Sequence, residues 1–423
     1  MEEFFDRLWP LNRSITGDGL RESLKIINEI MPIDRLAFKT GSKVFDWTVP
    51  KEWIVRDAYF IDPFGKKHAE FKINNLHLMG YSIPFKGKVS LEELSSHLYS
   101  RSDLPEAIPY VTSYYEPNWG FCLSHKERQQ LPNGQYQIFI DTELINGTLE
   151  IGETVLPGKT NEEILFSTYL CHPSMANNEL SGPLVMMFLY EMIKAMPSRR
   201  YTYRFVISVE TIGTICYLSI RGNHLKKNLV AGYVMTCLAM PGIFVYKESR
   251  MANSLADRAV KIILKNKDNH KILPFSPRGS DERQYCSQGF NLPVGTLSRH
   301  IGGYPQYHTS LDNKDLISFD TLEQAVDLYY SLVRILENNI IWDSTIKYCE
   351  PQLGKRNLYP QISTVNYKTQ LKNLQMAILW ILSYADGTND LLKIAEISGC
   401  DIELLFEVVQ ILSSENLIKP MEK

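Results

Sequence analysis

The chain has 423 residues, of which 44% are hydrophobic and 22% charged, and its formal net charge is -3. That length allows two or three domains with a large core, and the near-balanced charge argues against partners such as nucleic acid or an anionic membrane. Seven scattered cysteines (Cys122, Cys171, Cys216, Cys237, Cys286, Cys349 and Cys400) lack CxxC spacing, which indicates reduced thiols in a cytoplasmic protein and excludes a disulfide framework or zinc ribbon. The acidic start, MEEFFDRLWPLNRS, lacks the apolar core of a signal peptide. The most apolar helix, 184–193, is too short to span a bilayer.

In chain order, residues 3–31 carry helical patterning broken by Asn12–Gly19, and Met31-Pro32 stops the second helix. Arg13, in that break, suits either a ligand carboxylate or a loop salt bridge. From about 41 to 147, short β-rich pieces recur (VFDWTV, WIVRDAYFID, FKINN, IPYVTSYY, GFCLS, YQIFIDTEL). They are separated by turn signals such as Asp62-Pro63-Phe64-Gly65 and Pro132-Asn133-Gly134. One helix-like stretch, Leu91–Tyr99, interrupts them. The aromatics Tyr110, Tyr114, Tyr115, Trp119 and Phe121 either line a binding wall or pack as half-buried strand residues.

An α/β pattern resumes at Glu163. A buried strand over 164–170 ends at Cys171-His172-Pro173, and Ser181-Gly182-Pro183 offers an N-cap serine and a first-turn proline for the next helix. Strands over 203–208, 230–236 and 294–297 follow, alternating with helices over 215–219, 253–266 and 321–337. The predicted fold is α/β, a mostly parallel central sheet flanked by helices. Its ligand crevice lies at the carboxyl ends of the strands.

The expected domains are an α/β domain over 1–40 and 148–345 and a mainly-β domain inserted at 41–147. A linker over 346–366 follows, within an Asn- and Pro-containing arm that begins near 338, and then a winged-helix-like domain over 367–423. The second helix of that last domain carries Glu403, Glu407 and Glu415 but no Lys or Arg. A helix that met phosphates would be basic, so a protein-contact or dimerisation role is expected, in a homo-oligomer.

His172, Glu210, Asp281 and His308 fall at strand or loop junctions of the α/β region. A metal hydrolase needs imidazole and carboxylate ligands that leave one position open, and a carboxylate base to take a proton from water. The order of the blocks around these residues resembles the zinc aminopeptidase family that includes glutaminyl cyclases. The blocks are His172-Pro173-Ser174, Asn178-Glu179-Leu180-Ser181-Gly182, Glu210-Thr211-Ile212-Gly213, Thr236 to Met240, Ser280-Asp281-Glu282 with Gly289 to Pro293, and His308-Thr309. More narrowly, the phrases CHPS, VETIG, PRGSDERQYC and YHTSLDN resemble a bacterial group of uncharacterised aminopeptidase-like proteins, often met among surface-polysaccharide genes. That likeness covers nearly the whole chain.

The resemblance implies metal ligands at His172 and His308 and a general base at Glu210. Three further ligand positions depart from it: Asn178 stands at the bridging aspartate, Thr211 at the second glutamate and Met240 at the later aspartate. Glu179, next to the bridging position, completes a four-ligand set by type with His172, Glu210 and His308. The alternative is that these four form a hydrogen-bonded polar cluster without an ion. Asp281, Arg283, Arg278, Tyr307 and Arg13 are the expected substrate-facing residues. Cys171 beside His172 suggests a nucleophile, but alternation along a strand puts neighbouring side chains on opposite faces.

Two functions follow. One is a divergent hydrolase of peptide or aminoacyl-amide bonds with at most one zinc. There, a metal or the Asp281/Arg283 loop polarises the carbonyl and Asp281 meets the substrate amine. The other is a metal-free pseudoenzyme whose cleft binds a small amino- or carboxyl-bearing ligand, or a partner protein.

Overall fold

Four apolar runs form the parallel centre of an eight-stranded sheet. The computed structural model describes residues 1–265, 267, 269–358 and 369–421. The strands are β1 (Asp34–Lys39), β2 (Thr148–Leu156), β3 (Glu163–Tyr169), β4 (Thr202–Ser208), β5 (Leu229–Met235), β6 (Val245–Lys247), β7 (Lys271–Leu273) and β8 (Val294–Ser298). Their spatial order is β1-β2-β4-β3-β5-β8-β6-β7. Strands β4, β3, β5 and β8 run parallel, and antiparallel β1 and β2 extend one edge. Every residue of β3 is buried, as a strand covered on both faces requires. From β3 the chain moves to β4 on one side, then crosses to β5 on the other. The winding therefore reverses at β3, and a crevice opens at the carboxyl ends of these strands.

The helix after β3 starts differently from the sequence expectation. Ser181 is not its N-cap, because a π turn over Ala176–Leu180 runs directly into helix Ser181–Lys194. The Ser181 hydroxyl donates to the Asn177 carbonyl (2.5 Å) and accepts from the Leu238 N–H (3.0 Å). Gly182 permits the close approach to β5 and β3, since a Cβ there would lie 2.4 Å from the Met235 carbonyl oxygen and 2.2 Å from Thr168 Oγ1.

The inserted region centres on a four-stranded antiparallel sheet, ordered Lys67–His68, Glu52–Ile61, Gln135–Ile145 and Phe85–Ser90. The expected strand FKINN is instead a turn entering a 3-10 helix at Asn75–His77, capped by the Asn74 side chain. Strand Phe85–Ser90 was hidden by its Gly and Lys content. The expected helix over 91–99 stops at Ser95, and Leu98–Tyr99 pairs with Phe121–Cys122. IPYVTSYY is an extended strap that makes isolated bridges only.

Contacts divide the chain into two compact units, Met1–Asp257 with Asn269–Asp327, and Arg258–Asp268 with Leu328–Lys423. The second unit holds helices Thr369–Tyr384, Leu391–Ser398 and Ile402–Ser414 and a three-stranded sheet. Asp390 and Asp401 cap the second and third of these helices, and Gly399 ends the second in the left-handed region (φ 71°). Ile341–Ser344 corrects the reading of an arm from 338: it is the central strand, between Asp386–Asp390 and Ile418–Pro420. Residues 359–368, in the expected linker and at the start of the expected winged helix, and 422–423 at its end lie outside the described residues. Among the described residues no helix is long and apolar enough to cross a membrane.

One buried charge network ties β2, β3 and β4 together. Arg204 grips Glu163 with two hydrogen bonds (2.7 and 2.8 Å) and Glu153 with a third (2.5 Å), while Arg221 and Tyr217 also bind Glu153. Burial works to raise both carboxyl pKa values, but these donors outweigh it and hold them below the ordinary range. A lowered folded pKa gives stability that is present above the unfolded value, about 4.3 for Glu, and is lost as pH falls through the folded value. Arg204→Met is expected to cost about 3–5 kcal/mol at pH 7, because it removes the one cation shared by both buried carboxylates and leaves Glu163 to His224 and Glu153 to Arg221 and Tyr217. In denaturant titrations that deficit should shrink below about pH 4 as both acids protonate. Gly182→Ala is expected to cost about 1–3 kcal/mol in the same assay, through overpacking against β5.

Candidate functional site

The loop after β3 is held by one carboxylate. Glu179 is buried, and its Oε1 accepts the peptide N–H groups of Cys171 and of His172 (2.7 Å for the latter). Its Oε2 lies 2.7 Å from His172 Nδ1. Burial opposes charging of His172, but the Cys171 sulfur and the Glu179 carboxylate outweigh it and raise its pKa above the ordinary range. Arg13, 1% exposed, supports the same loop by donating to the His172 carbonyl (3.1 Å) and the Leu8 carbonyl. Among the described residues it makes no salt bridge, and its Nη2 is left without a hydrogen-bond partner. The alternation argument also fails at Cys171: the strand ends at Tyr169, and past that end Cys171 Sγ and His172 Nδ1 converge to 3.5 Å. Burial pushes the thiol up to about 11, which makes it a poor nucleophile.

The π turn is fixed from the far end of the sequence. Asp312 accepts from the N–H of Asn177 (2.7 Å) and of Asn178 (3.0 Å), and the Tyr304 hydroxyl donates to it (2.6 Å). Asn177 Oδ1 in turn accepts the N–H groups of Ala239 and Met240 (2.9 and 3.0 Å). Asn178 belongs to a closed chain of hydroxyls. Thr236 donates to the Asn178 carbonyl (2.9 Å), Tyr169 and Thr236 share a 2.7 Å bond, and Asn178 Nδ2 donates to Tyr169 (3.1 Å). A carbonyl only accepts, so the single Thr236 proton goes there and Tyr169 must donate to Thr236. Tyr169 is then the acceptor for Asn178, which fixes which end of the amide is nitrogen.

At the end of β4, Glu210 is half-buried, and its Oε1 accepts from Ser280 (2.8 Å). Burial raises its pKa, against the pull of His172 and Ser280. Thr211 follows in the left-handed region (φ 65°), where its N–H donates to Asp281 (2.8 Å) and its hydroxyl accepts from Arg283 (2.8 Å). Asp281 is 1% exposed, and burial, with Glu210 close by, pushes it up to about 8. Asp281 and Arg283 thus position the Glu210 turn.

His308 (φ 56°) lies with its ring centroid 4.9 Å from that of His172 and stacks on Tyr307 at 4.0 Å. Burial, then His172, pushes it down to about 3, so it is neutral. The strap from the inserted region roofs this pair. Tyr110 donates its N–H to the His308 carbonyl (2.9 Å), and its ring stands 5.0 Å from His172 and 5.6 Å from His308. Tyr114 reaches the Tyr110 hydroxyl at 3.0 Å. The expected aromatic wall therefore divides, since Trp119 and Phe121 pack in the interior of the insert. Beside the roofed pair, a cavity of about 340 Å³ is lined by Glu210, Tyr307, Tyr169, Lys247 and Arg278, among others.

The donor set tests whether zinc suits these residues. Among the described residues, the one group of three candidate ligands within 4.8 Å is Cys171, His172 and Glu179. Its atoms are already bonded to one another and to peptide N–H groups. At the other positions, Met240 offers a thioether, Thr211 is bonded to Arg283, and the unpartnered atoms Asn178 Oδ1 and His308 Nε2 are neutral. A dication held by neutral donors alone in a buried site has no charge to offset it. Glu210 is the remaining carboxylate, with one oxygen on Ser280, and it does not join the two histidines in a group whose ligand atoms lie within 4.8 Å of one another. The four-ligand set expected from sequence is therefore not assembled among the described residues. Sequence reading missed Asp312, Asn177 and Tyr169; Asp312 stood in the phrase YHTSLDN that carried the closer likeness.

Comparison with known proteins follows the same lines. The family model DUF4910, a domain of unknown function, matches residues 2–339, and a winged helix-turn-helix model matches 340–420. A Clostridium acetobutylicum protein provisionally named a polysaccharide biosynthesis protein with aminopeptidase-like domain is 39% identical over 98% of this chain and 94% of its own. A crystal structure of a candidate peptidase from that organism superposes with a TM-score of 0.92 at 38% identity, covering 99% of this chain and 95% of that one. The Bacillus subtilis zinc aminopeptidase BSAP gives a TM-score of 0.57 at 12% identity, over 78% of this chain and 93% of that one. This last match is one of fold.

Glu179→Gln is expected to keep both peptide N–H bonds while its amide donates to His172 Nδ1, so that the ring gives up its Nδ1 proton and becomes neutral with the remaining proton on Nε2. The 15N shifts of His172 would report the lost proton, with about 1–3 kcal/mol of stability lost. Unchanged shifts would contradict the role given to Glu179.

Proposed function

Because this chain belongs to the DUF4910 family, with an aminopeptidase-like fold and a carboxyl-terminal winged helix, we propose that it uses the aminopeptidase-like cleft to bind a small amino- or carboxyl-bearing ligand without zinc. The observation that carries this reading is Asn178, whose amide is built into the Tyr169–Thr236 hydroxyl chain. An aspartate there would have to take the Tyr169 proton away from Thr236, so the neutral residue is a working part of the site. The other departures point the same way, with Met240 offering a thioether and Thr211 engaged by Arg283 and Asp281. The name of the 39% identical relative makes amino sugars and uronic acids natural first ligands to screen.

A second reading, hydrolysis of an aminoacyl amide, is favoured by Glu210 alone. It is a half-buried carboxylate on the cavity wall whose pKa is raised by burial, as a general base requires. It lacks an evident electrophile for the carbonyl, a contribution of several kcal/mol when a metal supplies it.

Metal analysis of protein dialysed after zinc soaking separates the two. The parent is expected to retain no zinc, and Asn178→Asp with Met240→Asp about one equivalent. Retention of stoichiometric zinc by the parent would refute the metal-free reading. Turnover of aminoacyl amides abolished by Glu210→Gln would establish the second.

A further inference from the structure

The cavity beside the two histidines has opposite charges at separate places on its wall. Glu210 supplies a carboxylate with one oxygen engaged by Ser280 (2.8 Å). Arg278 is exposed on the same wall, and among the described residues no hydrogen bond or ion pair engages its guanidinium. Lys247, 3% exposed, also lines the cavity. Its ammonium meets Glu282 (2.5 Å) and the Arg278 carbonyl (2.8 Å), which balances its charge and fixes it under the Arg278 backbone. With Lys247 and Glu282 cancelling, Glu210 and Arg278 are the charged groups of this wall that no ion pair engages among the described residues. Both line a space of about 340 Å³ that admits a small molecule.

We propose that this cavity binds a ligand carrying both an ammonium group and an oxyanion, the ammonium at Glu210 and the oxyanion at Arg278. The inference rests on the cleft-binding reading above and adds the polarity of the ligand. A guanidinium presents a planar fork of donors that matches a carboxylate or a phosphate. A carboxylate half-shielded from water favours a primary ammonium. A molecule with one of these groups leaves the opposite protein charge without a partner, so the two contacts reinforce one another.

The test is calorimetric titration of the full chain, treated with EDTA, with ω-amino acids from glycine to 6-aminohexanoate. Each is matched by the alkylamine and the alkanoate of the same length, and ethanolamine phosphate serves as the phosphate arm. At least one dipolar compound is expected to bind about 10-fold or more tightly than both of its single-charge analogues. Arg278→Ala should reduce it to the affinity of the amine, and Glu210→Gln to that of the acid. Arg56→Ala, an exposed arginine in the insert, should leave it unchanged. Thermal midpoints close to the parent's would establish that both variants are folded. Preference for ethanolamine phosphate over the amino acids would identify the oxyanion as phosphate. Equal affinity for dipolar and single-charge compounds, or an Arg278→Ala variant that binds like the parent, would overturn the inference. Single-charge binding would still leave the cleft reading standing. No binding by any member of the set would overturn the inference as well, whereas zinc retention by the parent is what defeats the cleft reading.

Discussion

A buried carboxylate with no water to solvate it must find donors, and Glu179 finds three at once: two peptide N–H groups and an imidazole nitrogen. That requirement shapes the site. It bends the chain just past β3, turns His172 so that one face of its ring is tied inward, and explains why the π turn presents Glu179 backward under the loop.

The same logic of compensation runs through the neighbouring positions. Asp312 gathers the N–H groups at the start of the turn, Asn177 gathers those near Met240, and Asp281 holds the strained Thr211 that aims Glu210. Each of these three side chains accepts from backbone donors, so the loops at the strand ends are mutually braced. What lines the cavity then includes Glu210, Tyr307, Tyr169, Lys247 and Arg278, with the two histidines and the tyrosine strap beside it. On this aminopeptidase-like fold, the polar interior at the strand ends is held together by hydrogen bonds from Glu179, Asp312, Asn177 and Asp281 to the backbone.

Much of this was legible in the sequence. Continuous apolar runs ending in polar residues marked β3, β4, β5 and β8, and the block order placed His172, Glu210 and His308 at one crevice. What the sequence hid has specific causes. The hold of Glu179 on the Cys171 and His172 peptides has no sequence signal, because spacing cannot say which way a side chain leaves a π turn. Ser181 looked like a cap because a preceding irregular turn has no sequence signal. Asp281 and Arg13 looked substrate-facing because loop residues are usually exposed, whereas tertiary packing buries both. Ile341–Ser344 escaped notice because a four-residue strand pairs with partners more than 40 residues away, which local patterning does not report.

The strap over 108–115 has an architectural consequence. It is fastened to the insert through Gly80 and to the histidine loop through Tyr110, Ile108 and Ser310. The insert is therefore no detachable ornament. A chimera that exchanged it for the corresponding segment of a relative would also exchange the ceiling above His172 and His308. A change confined to 108–115 would likewise alter that ceiling with every residue on the strand ends left as it is.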